Sequence, residues 1–268
     1  MISKQLAKLL LDGRNSYDYP AAFIAPVGIQ PPDLQVGAIQ AVFNPGTGTV
    51  TSLLLDAYHH SLLTATASTD QQRLGVLSAI YWGYITYSDQ FARVRAGRHL
   101  SKTSVPALAT ALSKSAADIT AGKQGAAIGC LGGIPELNRL PFASKIIAFL
   151  APDTAGVYDN RINSFIADHQ LRLCDSRFSP VPRHEGMMSA GGVASRANQL
   201  RYQIWCEFLI RLRDDMNQLG SRWRWKSTEP MSQSWRAVDI ERAIFSFTKQ
   251  SRSVQSQAAE MLNDYCSA

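Results

Sequence analysis

"RLPFASKIIAFLAPDTAGVYDNRI", residues 139–162, decides how this chain is read. Pro141 suits a first helical turn, because its fixed φ matches a helix and its missing N–H would find no partner there anyway. Phe142, Ile146, Ile147, Phe149 and Leu150 then form a broad apolar surface, so a helix is expected over 140–150. Pro152 opposes its continuation and Gly156 permits a sharp turn. Asp159 stands where an N-cap belongs, placed to accept the first backbone N–H groups of a second helix expected over 160–171. One lysine, Lys145, falls in the early part of the first helix. The macrodipole and partial burial both favour a neutral amine there, and a neutral amine is a nucleophile. A short loop between two helices can bring Lys145 and Asp159 into one cleft. Either residue alone is commonplace: a first-turn lysine is usually solvated, and aspartate is among the commonest N-caps.

Outward from this segment, apolar residues recur at helical spacing and strict two-residue alternation is hard to find. Helices are expected over 2–11, 51–66, 70–94, 106–120, 197–219, 235–249 and 254–265 as well. Two stretches differ: 13–50, with "YDYP", "IQPPD" and "NPGTG", and 172–195, with "SPVPRHEG" and "SAGG". Their proline and glycine predict long irregular connections with a short strand or two. No internal repeat, low-complexity tract or linker divides the 268 residues, so one compact, mainly α unit of two helical lobes is expected, with residues 120–162 between them.

No apolar run approaches the roughly 18–20 residues needed to span a bilayer, and "MISKQLAKLLLDGRN" lacks a secretory apolar region with a cleavage site. A soluble, cytoplasmic protein is expected. Cys130, Cys174, Cys206 and Cys266 are widely separated and form no CxxC pair, which argues against structural zinc or an iron–sulfur cluster and for reduced, mostly buried thiols. No metal and no cofactor are expected.

The formal net charge of +6 permits an anionic partner. The excess is concentrated: residues 196–252 carry 11 Lys/Arg against 6 Asp/Glu, which directs attention to "GSRWRWK" at 220–226, where Arg222, Arg224 and Lys226 alternate with tryptophans. "FARVRAGRHLSK" at 91–102 carries no acid. Bases neutralise phosphates and aromatic rings stack on nucleobases, so both stretches read as phosphate-facing surfaces; the alternative is a solvated helix end whose tryptophans serve the core.

A helix and turn, a second helix bearing Lys145 after "LP", and then "VYDNRI" before another helix together resemble the helix-hairpin-helix DNA glycosylase superfamily, in particular its bacterial 8-oxoguanine-glycosylase-like branch. The match is closest from Gly129 to Ile166 and weaker over "SWRAVDIERAIFSF" at 234–247. The resemblance implies a two-lobed helical glycosylase fold with the hairpin and catalytic region at about 124–170, double-stranded DNA bearing a modified base as partner, a monomer, and residence in the bacterial cytoplasm on the nucleoid. It assigns attack on C1′ to Lys145 and assistance to base departure to Asp159. It places Arg139 and Ser144 at the DNA. The usual hairpin reads Leu-Pro-Gly-Val-Gly-x-Lys, whereas this chain has Leu140-Pro141-Phe142-Ala143-Ser144-Lys145, one residue shorter and without either glycine.

A glycosylase extrudes its target base into a pocket. Phe149, four residues after Lys145, is the candidate stacking partner, and Trp82, Tyr84 and Trp235 are further pocket candidates; core packing is the competing reading for each. The expected function is excision of a modified base to leave an abasic site. The base is either an 8-oxoguanine-type lesion or a hypermodified phage base such as glucosylated hydroxymethylcytosine, the latter removed in phage defence. The alternative is a non-catalytic DNA-binding module on the same fold. There is no HExxH, GxSxG or P-loop to support other hydrolases.

Overall fold

The computed structural model describes residues 1–27, 31–46, 50–64, 66–182, 191–224 and 233–267. In chain order its elements are α1 (Lys4–Asn15), β1 (Phe23–Pro26), β2 (Leu34–Val36), β3 (Ile39–Asn44), α2 (Ser52–Leu63), α3 (Thr69–Tyr84), α4 (Asp89–Lys102), α5 (Val105–Thr120), α6 (Gln124–Gly129), α7 (Leu140–Leu150), α8 (Asn160–Asp168), α9 (Arg196–Gln218), α10 (Ala237–Phe247) and α11 (Arg252–Ser267). The chain is mainly α, as expected, and no helix among the described residues is long and apolar enough to cross a membrane.

The helix expected over 70–94 is in fact two. Tyr87 N–H closes a turn on Tyr84 O at 3.0 Å, and the Ser88 hydroxyl then accepts Phe91 N–H at 3.1 Å to cap α4. A serine N-cap followed by an acid is an ordinary helix start, but the apolar run through Ile85 hides it in sequence. The irregular stretch 13–50 holds a small antiparallel sheet in the order β1-β3-β2, with Phe23 opposite Asn44 and Leu34 opposite Ala41. It is one strand richer than expected, because segments of three to six residues are too short to show alternation. Ile24, Val36 and Ala41 are buried, and Ile24 N–H donates to Ser78 Oγ on α3 at 2.9 Å.

α7 is buried along its whole length, packed against α2 and α3. An eleven-residue helix buried on all sides is a core element, which explains why its sequence is apolar almost throughout. α10 lies on α1 and α9 and carries one side of a buried ionic network. Arg14 Nε meets Asp239 Oδ1 at 3.0 Å, Arg236 joins Asp239 (2.9 Å) to Asp56 (2.7 Å), and both terminal nitrogens of Arg242 donate to the Asp56 carboxylate. The Arg14 guanidinium also lies 3.6 Å from the centre of the Trp223 ring, which is fully buried. These ion pairs lock α1, α2 and α10 in register, since removing one partner would strand a buried charge.

The cysteine expectation needs correction. Cys174 and Cys266 form a disulfide that joins the turn after α8 to α11, closing a span of 92 residues. Such a separation leaves no signal in the spacing. Cys130 and Cys206 are free thiols, and Cys206 is buried.

Candidate active site

Lys145 and Asp159 line the same cavity, of about 580 Å³. Lys145 enters from the middle of α7 and is only 6% exposed; its ammonium nitrogen donates to Pro141 O at 3.0 Å and lies 5.1 Å from the Phe142 ring centre and 5.9 Å from that of Trp82. Its stem passes tightly by α3. A methyl group on Gly83 would stand 2.8 Å from Phe142 and 3.1 Å from Lys145 Cε, so only glycine lets the two helices approach this closely. Burial lowers the Lys145 pKa, while the facing charges of Asp159 and Glu241 raise it. The two named residues are not ion-paired.

Asp159 is the N-cap of α8, as expected. Its Oδ1 accepts Arg161 N–H at 3.0 Å and Ile162 N–H at 3.1 Å, so one oxygen orients the carboxylate and Oδ2 has no hydrogen-bond partner among the described residues.

The loop from α7 to Asp159 is held residue by residue. Tyr202 Oη on α9 reaches Gly156 O at 3.1 Å and Ser144 O at 3.4 Å, Trp205 Nε1 donates to Val157 O at 3.1 Å, and Tyr158 N–H donates to Ser144 Oγ at 3.0 Å. Tyr158 Oη in turn donates to Asn163 on α8 at 2.9 Å. Ser144, expected at the DNA, is therefore corrected: it is fully buried and ties the residue before Lys145 to the residue before Asp159. Tyr202→Phe keeps the packing and removes the hydroxyl from both carbonyls. We expect it to destabilise the fold by about 1 kcal/mol, the usual worth of a buried hydrogen bond to a carbonyl; an unchanged urea midpoint would show that the loop holds its position without this contact.

The pocket aromatics also need correction. Phe149 is buried with one face stacked on His59, ring centres 4.1 Å apart, and an edge contact to Trp82 at 5.3 Å. Because α7 is enclosed on every side, the neighbour four residues beyond Lys145 faces core. Trp82 is 5% exposed, and its Nε1 donates to Pro20 O at 2.9 Å, which places it in the wall behind the lysine. Trp235 is buried elsewhere, its backbone bridged on both sides to the Asn217 amide at 2.9 Å. The aromatic lining comes instead from Tyr19, Tyr84, Tyr87, Phe91, Phe142 and Phe245. Of these, Tyr84 is among the candidates that the sequence offers. The others stand on three helices, α4, α7 and α10, and on the connections before β1 and after α3, and only the fold brings them together.

Arg95, Arg161 and Lys249 complete the cavity rim. Arg95 is tied to Glu136 and donates to Tyr84 Oη at 2.9 Å, and Arg93 pairs with Asp89 at 2.8 Å and Asp33 at 3.2 Å. The basic stretch 91–102 thus spends two arginines on internal contacts, leaving Arg98 and Lys102 exposed without an ion pair among the described residues. Arg139 is the half-buried N-cap residue of α7. Arg222 and Arg224 are exposed, but Trp223 between them is core and neither arginine lines the cavity. Trp225 and Lys226 lie outside the described residues. Among the described residues, no cluster of three His, Cys, Asp or Glu side chains is arranged to hold a metal ion.

Glu241 on α10 went unnoticed in the sequence. It is 4% exposed, and burial pushes its carboxyl up to about 8, against the lowering effect of Arg242 and Lys145. His59 and His99 are fully buried and held at about 4 by desolvation. Above pH 6.5 the folded and unfolded histidines are both neutral; as pH falls toward 4 only the unfolded chain takes their two protons, so stability drops. Glu241 acts oppositely: between about 4.5 and 8 the folded chain keeps a proton that the unfolded chain has lost, so stability drops as pH rises. The expected result is a stability maximum near pH 6.5, with losses of about 2 kcal/mol by pH 4.5 and about 1 kcal/mol by pH 8. Urea denaturation across this range checks it, and Glu241→Gln is expected to remove the alkaline limb.

No protein-family model, curated protein or solved structure matches the chain.

Proposed function

We propose that this chain is a DNA N-glycosylase of the helix-hairpin-helix kind, which extrudes a modified base into the 580 Å³ cavity and cleaves its bond to the sugar. One observation carries the reading: Lys145 and Asp159, drawn from consecutive helices, open onto one aromatic-lined cavity with cations at its rim. A desolvated amine and an oriented carboxylate are what displacement at C1′ requires, the first to attack or position the sugar and the second to stabilise its developing positive charge. Aromatic walls suit a flat heterocycle, and the rim cations suit flanking phosphates.

The volume falls in the range of pockets that enclose ligands larger than a bare nucleobase. It has room for an 8-oxoguanine-type lesion and equally for a base carrying a bulky polar substituent, such as glucosylated hydroxymethylcytosine. The glycine-free hairpin bears on how DNA is gripped: Pro141 lacks an N–H, and Phe142 N–H is already bonded to Arg139 O at 3.1 Å. Phosphate contact then falls to exposed side chains such as Arg98 and Lys102. The test is incubation with DNAs carrying oxidised, alkylated and phage-type modified bases, with released bases identified by mass spectrometry. Binding to all without release from any would leave the non-catalytic DNA-binding module.

A further inference from the structure

We propose that Lys249 is a phosphate-binding residue held in reserve by Asp18, and that together with Arg161 it seats a phosphodiester of the DNA strand at the cavity mouth. This deepens the reading of the cavity as a base-extruding site and rests on it.

The three cations of the rim are in different states. Arg95 is committed: it is tied to Glu136 and to Tyr84 Oη, and both members of the ion pair are largely enclosed. Arg161 is open. Its backbone N–H is taken by Asp159, but its exposed guanidinium has no hydrogen-bond or ion-pair partner among the described residues. Lys249, in the turn between α10 and α11, is paired with Asp18 from the connection between α1 and β1.

Arg161 and Lys249 converge on one ring. The Arg161 guanidinium carbon lies 5.7 Å and the Lys249 ammonium nitrogen 5.4 Å from the ring centre of Phe245, which lines the cavity. Like charges gathered beside one ring repel each other, and an anion held by both relieves that repulsion. Arg161 offers a planar fork that matches two phosphate oxygens, and Lys249 adds a point charge. Arg161 also borders an adjoining hollow of about 330 Å³ that Asn160, Ser164 and Thr248 help to line, so a strand whose base enters the cavity has a path onward from its mouth.

Asp18 sets how firmly Lys249 is held. It does not line the cavity, whereas the next residue, Tyr19, does, so Asp18 stands at the outer edge of the mouth. The Lys249 and Asp18 side chains are 32% and 74% exposed, and an ion pair so open to water contributes little net stability. A strand phosphate at the mouth is held by Arg161 as well, so it outcompetes a lone carboxylate for the ammonium. The exchange needs only rotation of the flexible lysine stem. Asp18 thereby keeps Lys249 at the rim and charged in the free protein, and sets a cost that only an anion placed beside Arg161 overcomes.

The test measures binding, so it stands apart from base release. Full-length wild type, Lys249→Gln, Arg161→Gln, Asp18→Asn and the double variant of Asp18→Asn with Lys249→Gln are titrated onto a duplex carrying a tetrahydrofuran abasic analogue, by fluorescence anisotropy over a range of salt concentrations. Lys249→Gln and Arg161→Gln should each weaken binding and lower the slope of log affinity against log salt by about one. At about 0.3 M salt, where repulsion between distant charges is screened, Asp18→Asn should bind about two- to fivefold more tightly than wild type. That gain should vanish when Lys249 is glutamine. Circular dichroism and melting temperatures confirm that the variants are folded. An unchanged slope in Lys249→Gln, no gain from Asp18→Asn, or a gain that persists without Lys249 would overturn the exchange. So would competition by millimolar inorganic phosphate, at constant ionic strength, that disappears in Lys249→Gln, since it would assign the seat to a free anion. A wild type that shows the expected pattern but releases no base overturns the glycosylase reading and leaves the seat standing; one that releases base without the pattern does the reverse.

Discussion

Lys145→Gln is expected to abolish a borohydride-trapped protein–DNA adduct and to slow single-turnover base release roughly a thousandfold or more, the range seen when a nucleophile is removed from a preorganised site. The fold should survive, because the glutamine amide can still donate toward Pro141 O, the one hydrogen bond that the lysine makes among the described residues. Two forms of the role give different products. Covalent attack passes through an imine and breaks the strand by β-elimination, whereas a lysine that only positions the sugar leaves intact abasic strands that break on alkali treatment. The geometry favours attack, since the amine is desolvated and held by a neutral carbonyl, without a bound carboxylate among the described residues to keep it charged. Wild-type release by the variant on an active substrate would remove Lys145 from the chemistry in either form.

The helical class and the bounds of α7 were legible because a proline, a run of apolar residues and a second proline delimit that helix locally. The Asp159 cap was legible for the same reason: capping is a property of adjacent residues. What sequence concealed depends on residues far apart. Ser144 reads as a small polar residue near a hairpin, and only the fold turns it inward onto Tyr158. Phe149 shares a helix face with Lys145, but whether that face meets cavity or core depends on α2 and α3, which enclose it. The Cys174–Cys266 bond and the approach of Glu241 to the α7–α8 loop join segments with no relation in spacing. The basic stretch 91–102 lost two arginines to acids at 33, 89 and 136, so a count of charges overstated its capacity for phosphate.

Asp159→Asn separates structure from chemistry at the second residue. Asparagine caps helices as well as aspartate does, so α8 should keep its start and the protein its melting temperature. The amide still offers an oxygen to Arg161 and Ile162 N–H, and the cavity keeps its shape. The negative charge is lost. As the bond to the base breaks, positive charge develops on the sugar, and a neutral amide cannot stabilise it as a carboxylate does. Base release is therefore expected to fall by roughly a hundred- to a thousandfold, as when one preorganised electrostatic contact is removed, with DNA affinity equal or slightly improved by the loss of an acid near phosphate. If Lys145 and Asp159 act on one transition state, the double variant should be little slower than the worse single variant, because residues that work as a unit are not additive. Multiplicative losses in single-turnover kinetics, or near wild-type release by Asp159→Asn alone, would instead return Asp159 to the role of a helix cap.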